Sequence, residues 1–287
     1  MAFFAANQSR PDEGVIEENV EITPALAEDM LKGNINNRTM RQYVVEAYAR
    51  DMVNGNWTYT GDAIRLDKDG NVLDGQHRLA AVVLANKAFY TKVIKGLPAE
   101  ARKAIDTGIP RNAADVFRMD GSKYARDRAA VLRQWTIIQQ NYSHGVPVNT
   151  TRKITISEIE KAHAQFGADK VQDAVAGVNK LYIQTRVNKT AAATLLLLAD
   201  EVGRGEDAAI FLNQIETGSG LAADSPALAI RNAAFRLSQA RLTSVEWLAH
   251  LILAFNKAVE GKKMARVPSM AALHKRMSPA FPKVLPS

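Results

Sequence analysis

The sequence predicts an α+β chain of two domains, with strands and helices interleaved at the front and helices alone behind. Three observations predict it. Up to residue 120, short apolar runs of strand length alternate with helix-spaced segments, separated by Gly, Pro and Asp turns. Beyond Gly121 the apolar spacing is helical almost throughout. Across 287 residues, 47% are hydrophobic but only 7% aromatic, and Ala is frequent, which favours helix-rich packing around a normal core. The expected divisions are a flexible stretch 1–14, an α+β domain 15–120, a helical domain 121–260 and a basic tail 261–287.

Val15 to Ile22 alternates weakly, as an edge strand does. Thr23 then caps a helix with Pro24 at its first position, and Gly33 stops it. A second helix starts near Thr39, with Met40, Tyr43, Val44, Ala47, Tyr48 and Met52 at helical spacing, and Gly55 ends it. Ala63 to Leu66 and Asn71 to Leu73 read as a hairpin around Asp67-Lys-Asp-Gly70. Asp74-Gly75 breaks the extended chain, and a helix runs from Gln76 to Ala85. Ala88 to Ile94 is a strand, Pro98 opens a helix to Ile105, and another helix spans Asn112 to Met119. Further helices are expected over 123–141, 157–166, 168–186, 189–202, 207–217, 225–241 and 244–260, with a short extended piece at Lys153–Ile156.

Composition excludes several classes. There is no cysteine, so no disulfide framework, thiolate metal site or cysteine nucleophile exists. No two of the five histidines have the i, i+4 spacing of a helical metal pair. The longest apolar run, Ala191 to Ala199, is too short to cross a bilayer, so no membrane partner is expected. The first residues lack the basic flank and apolar length of a secretion signal, and a cytoplasmic protein is expected. The net charge is +7 and uneven: seven acids and no base lie between Asp12 and Asp29, whereas Lys257 to Ser287 holds seven Lys/Arg and one acid. Such a tail suits nucleic-acid phosphates or is simply solvated surface.

The chemistry concentrates at Asp74-Gly75-Gln76-His77-Arg78. A strand, a glycine turn and a helix start together form an anion trap, because the first helical turn has unpaired N–H groups and a partial positive charge. Gly75 admits an oxyanion close to the backbone. Arg78 can fork onto two phosphate oxygens, and His77 can donate or shuttle a proton. Asp74 can cap the helix, hold a magnesium ion or accept a proton from an attacking hydroxyl. Taken alone, Asp-Gly is also an ordinary turn with Asp74 as a cap and Arg78 in a surface ion pair.

The segment Gly61 to Ala81 resembles the central motif of the ParB/sulfiredoxin superfamily, and is especially similar to ParB-like proteins of bacteriophages and mobile elements. The resemblance spans residues 15 to 118. It includes Asn37-Arg38, the Met52 to Trp57 approach and the turn Asp106-Thr107-Gly108-x-x-Arg111; looser similarity follows at Gly218 to Leu221, Pro226, Arg231, Trp247 and Phe255 to Lys257. It implies a small mixed sheet with helices, binding a nucleotide triphosphate (ATP or CTP) with Mg2+ through Gly75, Gln76, His77 and Arg78, with Thr107 and Arg111 as further ligands and Asp74 as base or metal ligand. Sulfiredoxin has a cysteine where Gln76 stands, so sulfinic-acid repair is excluded. ParB has an arginine where His77 stands, so ParB-like CTP selectivity does not carry over residue by residue.

The expected function is therefore nucleotide binding with phosphoryl transfer or NTP hydrolysis in a DNA-associated protein, with homodimerisation an option. One alternative is a metal-dependent nuclease in which Asp74 and His77 activate water. Another is a non-enzymatic DNA-binding or regulatory protein. The spacing shows no helix-turn-helix. Lys123, Arg126, Arg128 and Arg133, followed by Arg152-Lys153 and the tail, are a candidate phosphate track. Trp57 and Tyr59 either stack on a base or pack the hairpin against the preceding helix; Trp135, Trp247 and Leu195 to Leu198 read as core.

Overall fold

The computed structural model describes residues 14–35, 37, 39–103, 105, 112–119, 121, 123–144, 148, 152–277 and 280–287. The chain divides into two compact units, Met1–Pro110 and Arg111–Ser287.

The first unit opens with strand β1 (Ile16–Ile22) and helix α1 (Pro24–Lys32). Thr23 caps α1 by accepting the Leu26 amide at 3.2 Å, with Pro24 pre-set for the first turn. Gly33 ends it, and its carbonyl accepts the Val72 amide at 2.9 Å. The end of α1 is thus tied to the hairpin. Helix α2 (Gln42–Val53) begins later than the apolar spacing suggests, with Arg41 as its N-cap.

Strands β2 (Ile64–Asp67) and β3 (Val72–Asp74) form the expected hairpin. Its turn is built by Asp67, whose Oδ1 accepts the Asp69 and Asn71 amides at 2.9 and 2.7 Å while Oδ2 accepts Asn71 Nδ2 at 3.0 Å. Helix α3 (Gln76–Ala85) and strand β4 (Phe89–Leu97) complete the layer. The sheet order is β1-β4-β2-β3, with β2 parallel to β4 and the other pairs antiparallel. Phe89, Thr91 and Val93 of β4 are buried, whereas Tyr90 is exposed and Lys92 half-buried. One sheet face therefore packs against helices, and Ile22, Ile64, Val72, Leu79, Val82 and Val93 make its core with Val45 and Met52 of α2.

After β4, the expected helix from Pro98 is a 3-10 stretch, Ala99–Lys103. Helix α4 (Ala113–Met119) packs on α5 (Ala125–His144), and Ala113 and Phe117 enter the second core. It therefore lies with the helical unit, and the division falls nearer residue 110 than 120. Lys153–Ile156 is no strand. Thr155 and Glu158 form a reciprocal capping box that starts α6 (Ile156–Phe166), so the β-branched residues there serve a helix start. The long helix expected over 168–186 is two, α7 (Ala168–Gly177) and α8 (Asn179–Thr185), interrupted at Val178.

Helix α9 (Lys189–Glu201) is capped by Asn188 and apolar nearly all round. It packs against α5, α7, α10 (Gly205–Thr217) and α12 (Ser244–Val259). Helix α11 (Pro226–Gln239) lies between α10 and α12, and α13 (Met270–Met277) packs on α12. The segment after α13 is not a loose tail. Phe281 and Val284 are buried, Tyr142 Oη donates to the Pro282 carbonyl at 2.6 Å, and the Ser287 amide reaches the Val202 carbonyl at 3.2 Å. Apolar side chains and main-chain bonds, not its charges, set its course.

His250 of α12 is fully buried, and neither ring nitrogen has a hydrogen-bond partner among the described residues. Burial pushes its pKa down to about 4, opposed by Glu246 one turn earlier and reinforced by Arg236. The unfolded chain, near 6.5, binds the proton more readily, so stability falls as pH drops from 6.5 towards 4. We expect urea unfolding to show a loss of roughly 2 kcal/mol from this group by pH 5 relative to pH 7. His250→Leu should flatten that slope; an unchanged pH dependence would refute the assignment.

Candidate functional site

The Asp74–Arg78 turn is built by a packing constraint. Gly75 has φ +101°, and a Cβ there would lie 2.3 Å from Ile64 Cδ1. Ile64 is completely buried in the sheet core, so both the packing and the left-handed backbone favour glycine at this turn. Gly75 is the N-cap of α3 without a side chain to cap it. Asp74 instead folds back, its Oδ1 accepting the Gly75 amide at 2.7 Å.

Around that carboxylate stand two guanidinium groups. Arg65 is the cross-strand partner of Asp74 and pairs with Oδ2 at 2.7 Å. Arg78, one helical turn on, reaches the same oxygen at 3.4 Å. Arg78 is only 14% exposed, and its fork is engaged elsewhere as well: Nη1 donates to the Asp62 carbonyl at 2.8 Å and Nη2 to the Ala63 carbonyl at 2.7 Å. In this conformation it ties α3 to the lead-in of β2. Arg65, 33% exposed, is the more accessible cation.

Gln76 and His77 face inward. Gln76 is buried, and its Oε1 accepts Asn34 Nδ2 at 3.0 Å. Asn37 Nδ2 donates both to Asn34 Oδ1 and to the Val72 carbonyl, each at 2.6 Å. His77 is buried too, and its Nε2 accepts the Arg41 amide at 3.0 Å. A lone pair receives that bond, so Nε2 is not a proton donor here. Together these two side chains fasten the segment between α1 and α2 over the start of α3.

Asp74, Gly75, Gln76, His77 and Arg78 are therefore gathered in one turn. Thr107 and Arg111 lie outside the described residues, as do Arg38, Asp106 and Gly108. Sequence reasoning missed Arg65 and Asn34. The hairpin register carries a signal for Arg65, since it stands opposite Asp74; nothing local points to Asn34. On β1, Glu17 pairs with Lys92 at 2.9 Å, and Glu18 pairs with Lys95.

Magnesium is the metal that the resemblance implies. Among the described residues no three His, Asp or Glu side chains converge as a metal cage. Asp74 supplies one carboxylate at the turn. That suits magnesium arriving on a triphosphate, which keeps waters and phosphate oxygens as its other ligands.

Other candidates sort differently. Trp57 packs edge-on against Tyr48 of α2 and Phe89 of β4, with ring centroids 5.4 and 5.6 Å away, so it joins β4, not the hairpin, to α2. Tyr59 is 54% exposed and donates to Asn19 Oδ1. The phosphate track along α5 is broken. Arg128 is 2% exposed, lies 5.4 Å from the centre of the Phe117 ring, and sets Nη2 2.6 Å from His163 Nε2. Burial lowers its pKa, with Asp169 opposing. Ala125, Arg128, Leu132 and Trp135 share the helical stripe that faces the core, which is why a basic residue there turned inward. Arg133 donates to the Arg152 carbonyl, and Arg152 pairs with Glu158 at 2.8 Å. Among the described residues no helix is long and apolar enough to cross a membrane.

Compared with known proteins, the chain matches no family profile, no curated protein and no solved structure.

The turn makes a direct stability test. Gly75→Ala should cost roughly 2–4 kcal/mol through left-handed strain plus overpacking against Ile64. Gly70→Ala, at φ +81° with open space around it, should cost only about 1 kcal/mol. Urea unfolding of both variants checks the order; equal losses would contradict the packing constraint.

Proposed function

We propose that the first unit is a nucleotide-binding module of the ParB/sulfiredoxin type, within a DNA-associated protein of phage or mobile-element kind. The ligand is a nucleoside triphosphate, ATP or CTP, carried with Mg2+. The observation that carries this reading is the pair of guanidinium groups, Arg65 and Arg78, sharing one oxygen of Asp74 directly before the first turn of α3. Two cations beside a positively polarised helix start favour a polyanion. Asp74 pairs with both cations, and a triphosphate oxygen would take its place on Arg65. The freed carboxylate is then the group that would hold Mg2+ alongside phosphate.

In this reading Arg78 chiefly positions the turn, because its fork already bonds the Asp62 and Ala63 carbonyls. Gln76 and His77 position the segment from Asn34 to Arg41. A site of this kind supports phosphoryl transfer or NTP hydrolysis by placement and charge stabilisation, without a covalent nucleophile. Asp74 would be the group that orients an attacking hydroxyl. The nuclease alternative is favoured by no feature of the site: Asp74 is held between two arginines, and His77 Nε2 is bonded to a main-chain amide.

Calorimetry with the four NTPs and Mg2+ tests the proposal. The wild-type chain should bind at least one, and Arg65→Ala should weaken that binding roughly tenfold or more while keeping the melting temperature. Arg78→Ala should lose both binding and stability, because it unties the β2 lead-in. Absence of binding heat for all four nucleotides in the wild type would overturn the assignment.

A further inference from the structure

Residues paired directly across a sheet project to the same face, so the strand register fixes which side chains share the face opposite the helices. Asp74 pairs with Arg65, Arg65 with Ile94, and Ile94 with Glu17. These four make one row across β3, β2, β4 and β1. Alternation along β4 puts Lys92 and Tyr90 on the same face as Ile94, while Phe89, Thr91 and Val93 take the packed one. The candidate turn therefore continues onto the open sheet face, and Tyr90 stands about 13 Å along β4 from the Arg65 row.

Tyr59, in the lead-in to β2, reaches to β1, where its Oη donates to Asn19 Oδ1 at 3.2 Å. Asn19 is the cross-strand partner of Lys92, so this contact brings the Tyr59 phenol to the Lys92 row, between Ile94 and Tyr90. Tyr59 and Tyr90 are 54% and 64% exposed. Lys92 pairs with Glu17 at 2.9 Å, and its side chain remains 38% exposed. The face is thus graded along β4: cations lie towards the turn and bare aromatic rings lie beyond them. Glu21, the partner of Tyr90, adds a carboxylate at the aromatic end. A nucleic-acid strand, charged along its whole length, would have to pass Glu17, Glu21 and Asp74 with few cations to hold it. A single nucleotide carries its charge at one end and an uncharged ring at the other, which matches the gradient.

We propose that the nucleoside half of the triphosphate lies on this open sheet face, its base against the Tyr59 and Tyr90 rings and its phosphate chain between Arg65 and Lys92. The inference rests on the nucleotide reading proposed above and deepens it. Lys92 then serves as the second phosphate cation, because the fork of Arg78 is already engaged by the Asp62 and Ala63 carbonyls. An ammonium holds phosphate as a point charge and needs no fixed fork geometry. To do so Lys92 gives up Glu17, and a half-exposed ion pair of that kind costs little to exchange. The triphosphate end lies beside Asp74 and the start of α3, and Glu21 keeps phosphate from the tyrosine end. Stacking tolerates any base, since every base has a π-face. The module should therefore accept ATP and CTP alike.

Calorimetry with ATP, CTP and inorganic tripolyphosphate, each with Mg2+, tests the inference on the full chain. The wild type should bind ATP and CTP with similar affinity, and tripolyphosphate roughly tenfold or more weakly. Tyr59→Ala with Tyr90→Ala should weaken both nucleotides roughly tenfold or more, to the level of tripolyphosphate, and leave tripolyphosphate binding unchanged. Tyr59→Phe with Tyr90→Phe keeps the rings and should bind nucleotide as the wild type does. Lys92→Ala should weaken all three ligands, since it removes a phosphate contact. A melting temperature close to wild type shows that the sheet is intact in each variant. Nucleotide binding by the double alanine variant as tight as that of the wild type would overturn the sheet-face assignment and leave the nucleotide reading standing. No nucleotide binding by the wild type would overturn both.

Discussion

The first unit depends on the guanidinium of Arg78. It joins three pieces of chain: the lead-in to β2 at Asp62 and Ala63, the end of β3 at Asp74, and its own helix α3. Each bond alone is worth on the order of 1 kcal/mol, somewhat more where charge assists. Their joint effect is geometric. They hold the turn against the sheet, where Ile64 Cδ1 fills the space a Cβ would take at position 75 and the left-handed φ of +101° favours glycine. Removing the arginine would also take this donor from the part-buried Ala63 carbonyl, whereas the Asp62 carbonyl keeps Thr91 Oγ1 at 2.8 Å.

The motif therefore has two roles that reinforce one another. Gln76 and His77 hold the segment before α2 through Asn34 and the Arg41 amide. Arg78 and Gly75 hold the turn. What this scaffold presents is the start of α3 with Asp74 and the accessible Arg65 beside it. Rigid support behind a small charged site is what positional catalysis and tight phosphate binding both require.

The helical unit rests on a different principle. Helix α9 is buried on nearly every side, and the segment 280–287 closes over the bundle through Phe281, Val284 and main-chain bonds. Its interior tolerates two costly groups. Arg128 offsets its desolvation with the Phe117 ring, His163 and the Ala168 carbonyl. His250 avoids the cost by staying uncharged, which makes it a pH-sensitive point of the bundle.

Local chemistry decided much that is readable from the residues in order. The Thr23, Asn188 and Thr243 caps, the Asp67 turn, the Asp74–Gly75 break and the apolar stripes of α9 and α12 are all signals within a few residues, because capping and turn bonds span only that distance. Tertiary structure alone decided the rest. Gln76 meets Asn34 across 42 positions, and His77 meets the Arg41 amide across 36, pairings that no periodicity reports. Arg128 looks like a solvated base until Phe117 and His163 close around it. The basic end of the chain looks free until its two apolar side chains find the bundle. The physical reason is the same in each case: a hydrogen bond or a buried ring is specified by what lies next to it in space, and that neighbour is chosen by packing of the whole unit.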